Sequence, residues 1–196
     1  MKKLLITGFD PFGGADRNPS REAVMALPDV IGDSTIIKLE IPTVFGLAAE
    51  TVLRAATDLR PDAILCVGQA GGRAAITPEV VAINLRDASI PDNRGNQPRN
   101  TPVAENAPAA YFSTLPVRAM AEAVKAVGVP CALSYSAVVF VCNDLLYTLL
   151  HHYDGTDVRV GFIHIPYLPE QAGEGVPSLP LNETVKGLTA AIQALS

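Results

Sequence analysis

Several short runs in this sequence are apolar at consecutive positions, among them Leu4-Leu5-Ile6, Ala63-Ile64-Leu65-Cys66-Val67 and Phe162-Ile163-His164-Ile165. A strand without inside–outside alternation is covered on both faces, and that suits a parallel sheet flanked by helices. Strand-like runs fall at 3–7, 35–41, 62–67, 79–85, 131–136 and 158–165. Helical spacing falls at 20–27, 46–59, 116–127, 142–153 and 181–195. The 46–59 stretch, for example, puts Ala49, Val52, Leu53, Ala56 and Leu59 on one stripe. Strand and helix alternate for most of the length. The pattern predicts a three-layer α/β/α sandwich with a mostly parallel, mixed central sheet and right-handed crossovers, as a single domain over 1–196.

Composition narrows the function. The chain has 196 residues, 48% of them hydrophobic, enough for a sizeable core. Its net charge of −5 argues against nucleic acid or an anionic membrane surface as partner. No apolar run approaches the roughly 20 residues that span a bilayer. The opening Met1-Lys2-Lys3-Leu4-Leu5-Ile6 is too short for a leader and meets Asp10 and Pro11 at once, so none is expected. The three cysteines, Cys66, Cys131 and Cys142, follow no zinc spacing. Cys66 and Cys131 read as core thiols of a protein in a reducing cytoplasm.

Two glycine-rich stretches follow strand-like runs, Gly8-Phe9-Asp10-Pro11-Phe12-Gly13-Gly14 and Gly68-Gln69-Ala70-Gly71-Gly72-Arg73. Loops at the carboxyl ends of parallel strands line the ligand crevice of open α/β sheets. Neither loop has dinucleotide or P-loop spacing. Phe9 and Phe12 read equally well as an apolar pocket wall and as a plug over the core. The stretch 86–115 carries Pro91, Pro98, Pro102 and Pro108 and little periodicity. A loop that long inside a compact domain is expected to serve a site.

The chemistry concentrates at Cys142. An apolar, β-rich run, Ala137-Val138-Val139-Phe140-Val141, ends there, and a helical pattern through Leu145, Leu146, Leu149 and Leu150 begins. A cysteine at a helix N-terminus is expected to ionise more easily, because unpaired N–H groups and the helix dipole favour an anion. Taken alone, such a cysteine also reads as a buried packing thiol. His164 lies on another strand-like run, and a cysteine with a distant histidine, both at strand ends, is the pattern of a Cys–His hydrolase. Such a pair needs a third group to orient the imidazole. Glu79, at one end of the run Val80-Val81-Ala82-Ile83-Asn84, is the candidate. His151 and His152 close a helix and read as surface residues there.

Six ordered motifs then resemble those of the pyrrolidone carboxyl peptidases, or pyroglutamyl peptidases I, a family of cysteine peptidases. They are Thr7-Gly8-Phe9-Asp10-Pro11-Phe12-Gly13-Gly14 with Asn18-Pro19-Ser20, Gly68-Gln69-Ala70-Gly71-Gly72-Arg73, Pro78-Glu79 with Ala82-Ile83-Asn84, Ile90-Pro91-Asp92-Asn93 with Phe112-Ser113-Thr114-Leu115-Pro116, Phe140-Val141-Cys142-Asn143, and Gly161-Phe162-Ile163-His164-Ile165-Pro166. The resemblance implies Cys142 as nucleophile, His164 as general base and acid, and Glu79 as its orienter. It implies a substrate slot formed by Phe9, Phe12, Thr43, Ile90, Phe140 and Val141, with Asn18 and Gln69 shaping it or bonding near it. It also implies peptides with an N-terminal pyroglutamyl residue as substrates, no cofactor, and assembly as a homo-oligomer, often a tetramer.

The chain departs from that pattern close to the nucleophile. Val138 and Val139 stand where the family usually has Gly and Thr, and Ser89 where many members have Arg. If the Gly served a positive φ, Val138 strains the turn. Two other readings therefore stand beside an active peptidase: a pocket-retaining protein of weak activity, and a phosphorolytic α/β enzyme, against which the lack of an evident Arg/Lys cluster counts.

Overall fold

The computed structural model describes residues 2–195. In chain order the elements are β1 (Lys2–Phe9), α1 (Pro19–Ala26), β2 (Val30–Ile31), β3 (Ser34–Ile41), α2 (Leu47–Leu59), β4 (Ala63–Gln69), β5 (Thr77–Pro78), β6 (Val81–Ile83), β7 (Ala110–Phe112), α3 (Val117–Ala126), α4 (Val141–His152), β8 (Arg159–Ile165) and α5 (Leu181–Gln193). The central sheet has the order β2-β3-β1-β4-β8-β5. Strands β3, β1, β4 and β8 pair in parallel, and the short edge strands β2 and β5 are antiparallel. Strands β6 and β7 form a separate two-stranded ladder.

Successive side chains of a strand point to opposite faces, and the parallel strands use both. Leu4, Ile6, Leu65, Val67, Ile163 and Ile165 join one buried cluster with residues of α1, α3 and α5. Leu5, Ile64, Cys66, Val160 and Phe162 join a second cluster with residues of α2 and α4. The three layers foreseen in the sequence are therefore present, and the five helical patterns match α1 to α5 to within one or two residues at each end.

Three expected strands differ. The 79–85 run is divided: Glu79 makes an isolated bridge to Ser134, and only Val81–Ile83 is strand. The 131–136 run is reduced to bridges at Cys131 and Ser134. The β-rich run before Cys142 is not a strand, because Val138 has φ +62° and breaks the extended path. The stretch 86–115 is mostly irregular, as expected, yet it is tied down by specific bonds. The buried carboxylate of Asp92 accepts from the N–H groups of Phe45, Arg94 and Asn96. The Asn93 amide donates to Asp10 Oδ1 (3.2 Å) and to the Pro11 carbonyl (2.8 Å), which docks this loop on the one after β1.

Candidate active site

Strand parity places the histidine. Phe162 faces the α2/α4 layer, so His164, two residues on, faces it too. In the parallel register His164 lies opposite Gly68 of β4. Helix α4 begins above that pair, with Phe140 as N-cap and Cys142 as its second residue. A Cβ on Gly68 would stand 3.1 Å from Cys142 Sγ and 2.7 Å from Phe162 Cζ. The sulfur therefore sits over a residue of β4 that has no side chain, beside the strand that carries His164. Cys142 is not at a strand end, as the sequence suggested; a loop delivers it.

Gly68→Ala is accordingly expected to push Sγ and the Phe162 ring apart, and the ring packs on His164 at 4.6 Å between centroids. Displacements near 1 Å at a reacting group lower rates on the order of 100-fold. Steady-state kinetics on a folded Gly68→Ala protein check this, and a rate within a few-fold of the parent would mean that the site relaxes around the methyl.

Glu79 reaches His164 from the chain that leaves β5. Thr77 pairs with His164 across the edge of the sheet, and Glu79 N–H donates to the Phe162 carbonyl at 2.9 Å. The carboxyl group has no solvent exposure, and its Oε1 lies 2.7 Å from His164 Nδ1. Arg73 Nη1 donates to the same oxygen at 2.8 Å. Arg73 belongs to a motif visible in the sequence, but nothing local marks it as part of this network. Its other partners are Thr77 Oγ1, four residues on, at 2.5 Å, and the distant Ser136 carbonyl at 3.1 Å.

Burial alone would raise the Glu79 pKa; the hydrogen bond and charge of His164, with Ser134 and Arg73, outweigh it and hold the group below the usual carboxylate range. An ionised carboxylate only accepts, so Nδ1 carries the proton of a neutral imidazole and Nε2 is left as the acceptor. Burial lowers the His164 pKa despite Glu79, and the Arg73 charge acts in the same direction. Cys142 departs from the sequence expectation. Burial raises its thiol pKa, the Glu79 carboxylate and Cys66 add to this, and Arg73 and the residue's own N–H oppose it. Desolvation outweighs the helix terminus, so the resting pair is thiol and neutral imidazole. Cys66, fully buried, is pushed up to about 12 and Cys131 to about 11, mainly by burial.

Cys142 and His164 open on a cavity of about 260 Å³. Phe9, Phe12, Asn18, Thr43, Gln69, Ile90 and Phe140 all line it, so seven of the eight residues expected for the slot are brought together. Val141 does not line it. As the first residue of α4 it is fully buried in the second core cluster. Phe9 is both plug and wall: it is 2% exposed within that cluster and also borders the cavity. Phe12 is half-buried, with its ring 6.2 Å from that of Phe140. Asn18 is engaged by the backbone, since Oδ1 caps α1 at Ser20 N–H and Nδ2 donates to the Asp10 carbonyl. Gln69 differs: its Oε1 is buried and has no hydrogen-bond partner among the described residues. Arg73, Ser89 and Val138 also border the cavity.

The departure at Val138 has a conformational consequence. At φ +62° a β-branched residue is in a region that glycine enters freely and valine does not. Val138→Gly is expected to relieve that strain and stabilise the protein by about 1 kcal/mol, net of the added chain entropy of glycine. A thermal melt should move up by roughly 3 °C; an unchanged or lower Tm would mean that the valine side chain contributes more through contacts than its backbone costs.

A desolvated thiol beside a carboxylate-held imidazole, at the carboxyl ends of a parallel sheet, defines a site of the cysteine-hydrolase class. The comparisons identify the family. The pyroglutamyl peptidase family model matches residues 2–196. The chain is 54% identical to the pyrrolidone-carboxylate peptidase of Levilactobacillus brevis, covering 98% of this chain and 97% of that one. The crystal structure of Bacillus amyloliquefaciens pyroglutamyl peptidase I superposes with a TM-score of 0.96 at 47% identity, over 100% of this chain and 97% of the other. Pyrrolidone carboxyl peptidase from Thermococcus litoralis gives 0.94 at 35%, over 100% and 93%. The chain belongs to the pyroglutamyl peptidase family, and is a cysteine peptidase.

Proposed function

We propose that this chain hydrolyses the bond between an N-terminal pyroglutamyl residue and the next residue of a peptide, with Cys142 as nucleophile, His164 as general base and acid, and Glu79 as orienter. The observation that carries the reading is His164, held at 2.7 Å by buried Glu79 and lining the same small apolar cavity as Cys142. Sγ attacks the pyroglutamyl carbonyl as its proton passes to His164 Nε2. The oxyanion forms near the Cys142 N–H, in the first turn of α4, which has no side-chain cap. The imidazolium then protonates the departing amine and leaves a thioester. Water, deprotonated by His164, hydrolyses it and releases pyroglutamate.

The cavity suits that ring. At about 260 Å³ it lies below the roughly 300–1,000 Å³ usual for ligand pockets. Phe9, Phe12 and Phe140 offer apolar contact to an uncharged lactam, and Gln69 Oε1 is an unused acceptor for the lactam N–H. A phosphorolytic enzyme would need free cations. Arg73 is the only Arg or Lys among the described lining residues, and Glu79, Thr77 and Ser136 already occupy it. No observation favours a weakly active, pocket-retaining protein over an enzyme. The exposed Phe112 and Tyr135, 72% and 62% accessible, agree with a homo-oligomer, tetrameric by resemblance. The free thiols agree with a reducing cytoplasm, and the continuous six-stranded sheet with a single domain.

A fluorogenic pyroglutamyl amide, with and without a thiol-alkylating reagent, tests the reading: alkylation-sensitive cleavage supports it, and no cleavage overturns it. The pH profile is a further expectation. The base is neutral imidazole, and its pKa is lowered from 6.5. The acid limb of kcat/KM should therefore fall below pH 6.5, with activity lost as pH drops through the lowered value; a limb well above it would contradict the burial argument.

A further inference from the structure

We propose that Arg73 is a positioning residue of this centre: its guanidinium fixes Glu79 as a carboxylate and, through Glu79, fixes His164 in the tautomer able to take the Cys142 proton. The inference rests on the reading above and extends it from three residues to four.

The geometry requires a second donor. Glu79 is fully buried, and a buried carboxyl group without a compensating charge tends to hold its proton. A protonated Glu79 would donate to Nδ1 and drive the imidazole proton to Nε2, which leaves no base facing the thiol. With His164 and Ser134, Arg73 works against this, and it does so at every relevant pH because a guanidinium stays charged. It donates to Oε1 at 2.8 Å, the same atom that meets Nδ1 at 2.7 Å, so this oxygen accepts from both sides. Glu79 Oε2 has no hydrogen-bond partner of good geometry among the described residues, the Ser134 hydroxyl being its polar neighbour. The network therefore turns on the one shared oxygen.

Arg73 also acts on geometry. Its fork joins two segments: Thr77 and Glu79 of the chain through β5, and the Ser136 carbonyl of the loop that runs through strained Val138 into Cys142. The side chain is a quarter exposed, reaching in from the loop after β4. Three groups then lie around the His164 imidazole on β8: Glu79 from the chain after β5, Arg73 beyond it, and the Cys142 thiol from α4. In that arrangement the Arg73 charge opposes an imidazolium and favours a thiolate, and the directions in which it acts on His164 and Cys142 agree.

The test is Arg73→Gln, with Arg73→Lys beside it, read by NMR titration of the His164 imidazole and by the pH dependence of kcat/KM on a pyroglutamyl amide. Loss of the cation makes proton uptake by the Glu79–His164 pair easier, on the carboxyl as on the imidazole, and either site removes the base. The midpoint read at the histidine and the acid limb should therefore both rise by about one pH unit. At a pH below both midpoints the rate should drop roughly 10-fold against the parent. Arg73→Lys keeps the charge and should hold both within roughly 0.3 units of the parent. An Arg73→Gln protein that folds yet titrates like the parent overturns the proposal, since a purely structural ion pair would lower the Tm and leave the titration alone. If that variant does not fold, the lysine variant decides: a one-unit rise with the charge retained overturns the proposal equally. The NMR arm needs no hydrolysis, so a parent protein inert toward pyroglutamyl amides would sink the proposed function and still leave Arg73 tested.

Discussion

Replacing Cys142 by alanine is expected to lower kcat/KM for pyroglutamyl amides by at least ~10⁴-fold, because the two-step reaction then has no covalent route and only binding and the α4 N-terminus remain. The fold should survive. The residue is partly exposed to the cavity, and the rest of its helix is held independently. Asn143 exchanges bonds with Ile83 N–H (3.0 Å) and with the carbonyls of Ile83 (2.8 Å) and Leu85 (3.0 Å). Asp144 bonds the Gly46 N–H (2.8 Å) and Arg86 Nε (2.6 Å). Binding of a pyroglutamyl peptide should therefore persist and be measurable by calorimetry. A variant that turns over at the parental rate would remove Cys142 from the mechanism. One that neither binds nor melts cooperatively would show that the thiol matters to the structure as well.

What is legible in the sequence divides along physical lines. Layers and helices are legible because they follow from periodicity: Leu5 and Ile64 against Leu4 and Leu65 already encode a sheet covered on both faces. His164 is legible for the same reason, as its parity with Phe162 sends it toward the α4 layer. The short pieces are not. Strands β2, β5 and β7 are two or three residues long and are set by their pairing partners rather than by local pattern. Val141 shows the limit of reading along the chain. It adjoins the nucleophile, yet the first turn of a helix sends neighbouring side chains in different directions, and this one packs into the core. Arg73 shows another, because its function lies in the turn that brings it back onto Glu79 and in a bond to Ser136, and neither follows from a periodic pattern. The expected acidity of Cys142 is reversed because the helix terminus is a local effect and desolvation a global one. The doubt over Val138 is legible from the departure itself, and the backbone carries it at φ +62°.

Glu79→Gln should be the most damaging change that leaves the nucleophile and base in place. Glutamine is nearly isosteric, so the cavity and packing stay, and two things change. The buried cation of Arg73 loses its counter-charge, which costs about 2 kcal/mol given that the guanidinium is partly exposed. The imidazolium formed during the reaction loses its counter-charge as well. A guanidinium only donates, so Arg73 holds the new amide oxygen at the position where Nδ1 also meets it, and the NH₂ group falls on the Oε2 side, toward Ser134. The tautomer is then kept, while the charge that stabilises the imidazolium is lost. Breaking a buried ion pair costs about 3–5 kcal/mol, and a loss of roughly 10³-fold in kcat is expected here. KM should change little, because Glu79 does not line the cavity. Kinetics and a melt on the same protein separate the effects: a stable Glu79→Gln enzyme with near-parental kcat would mean that His164 works without the carboxylate charge, and the function assigned to Glu79 would fall.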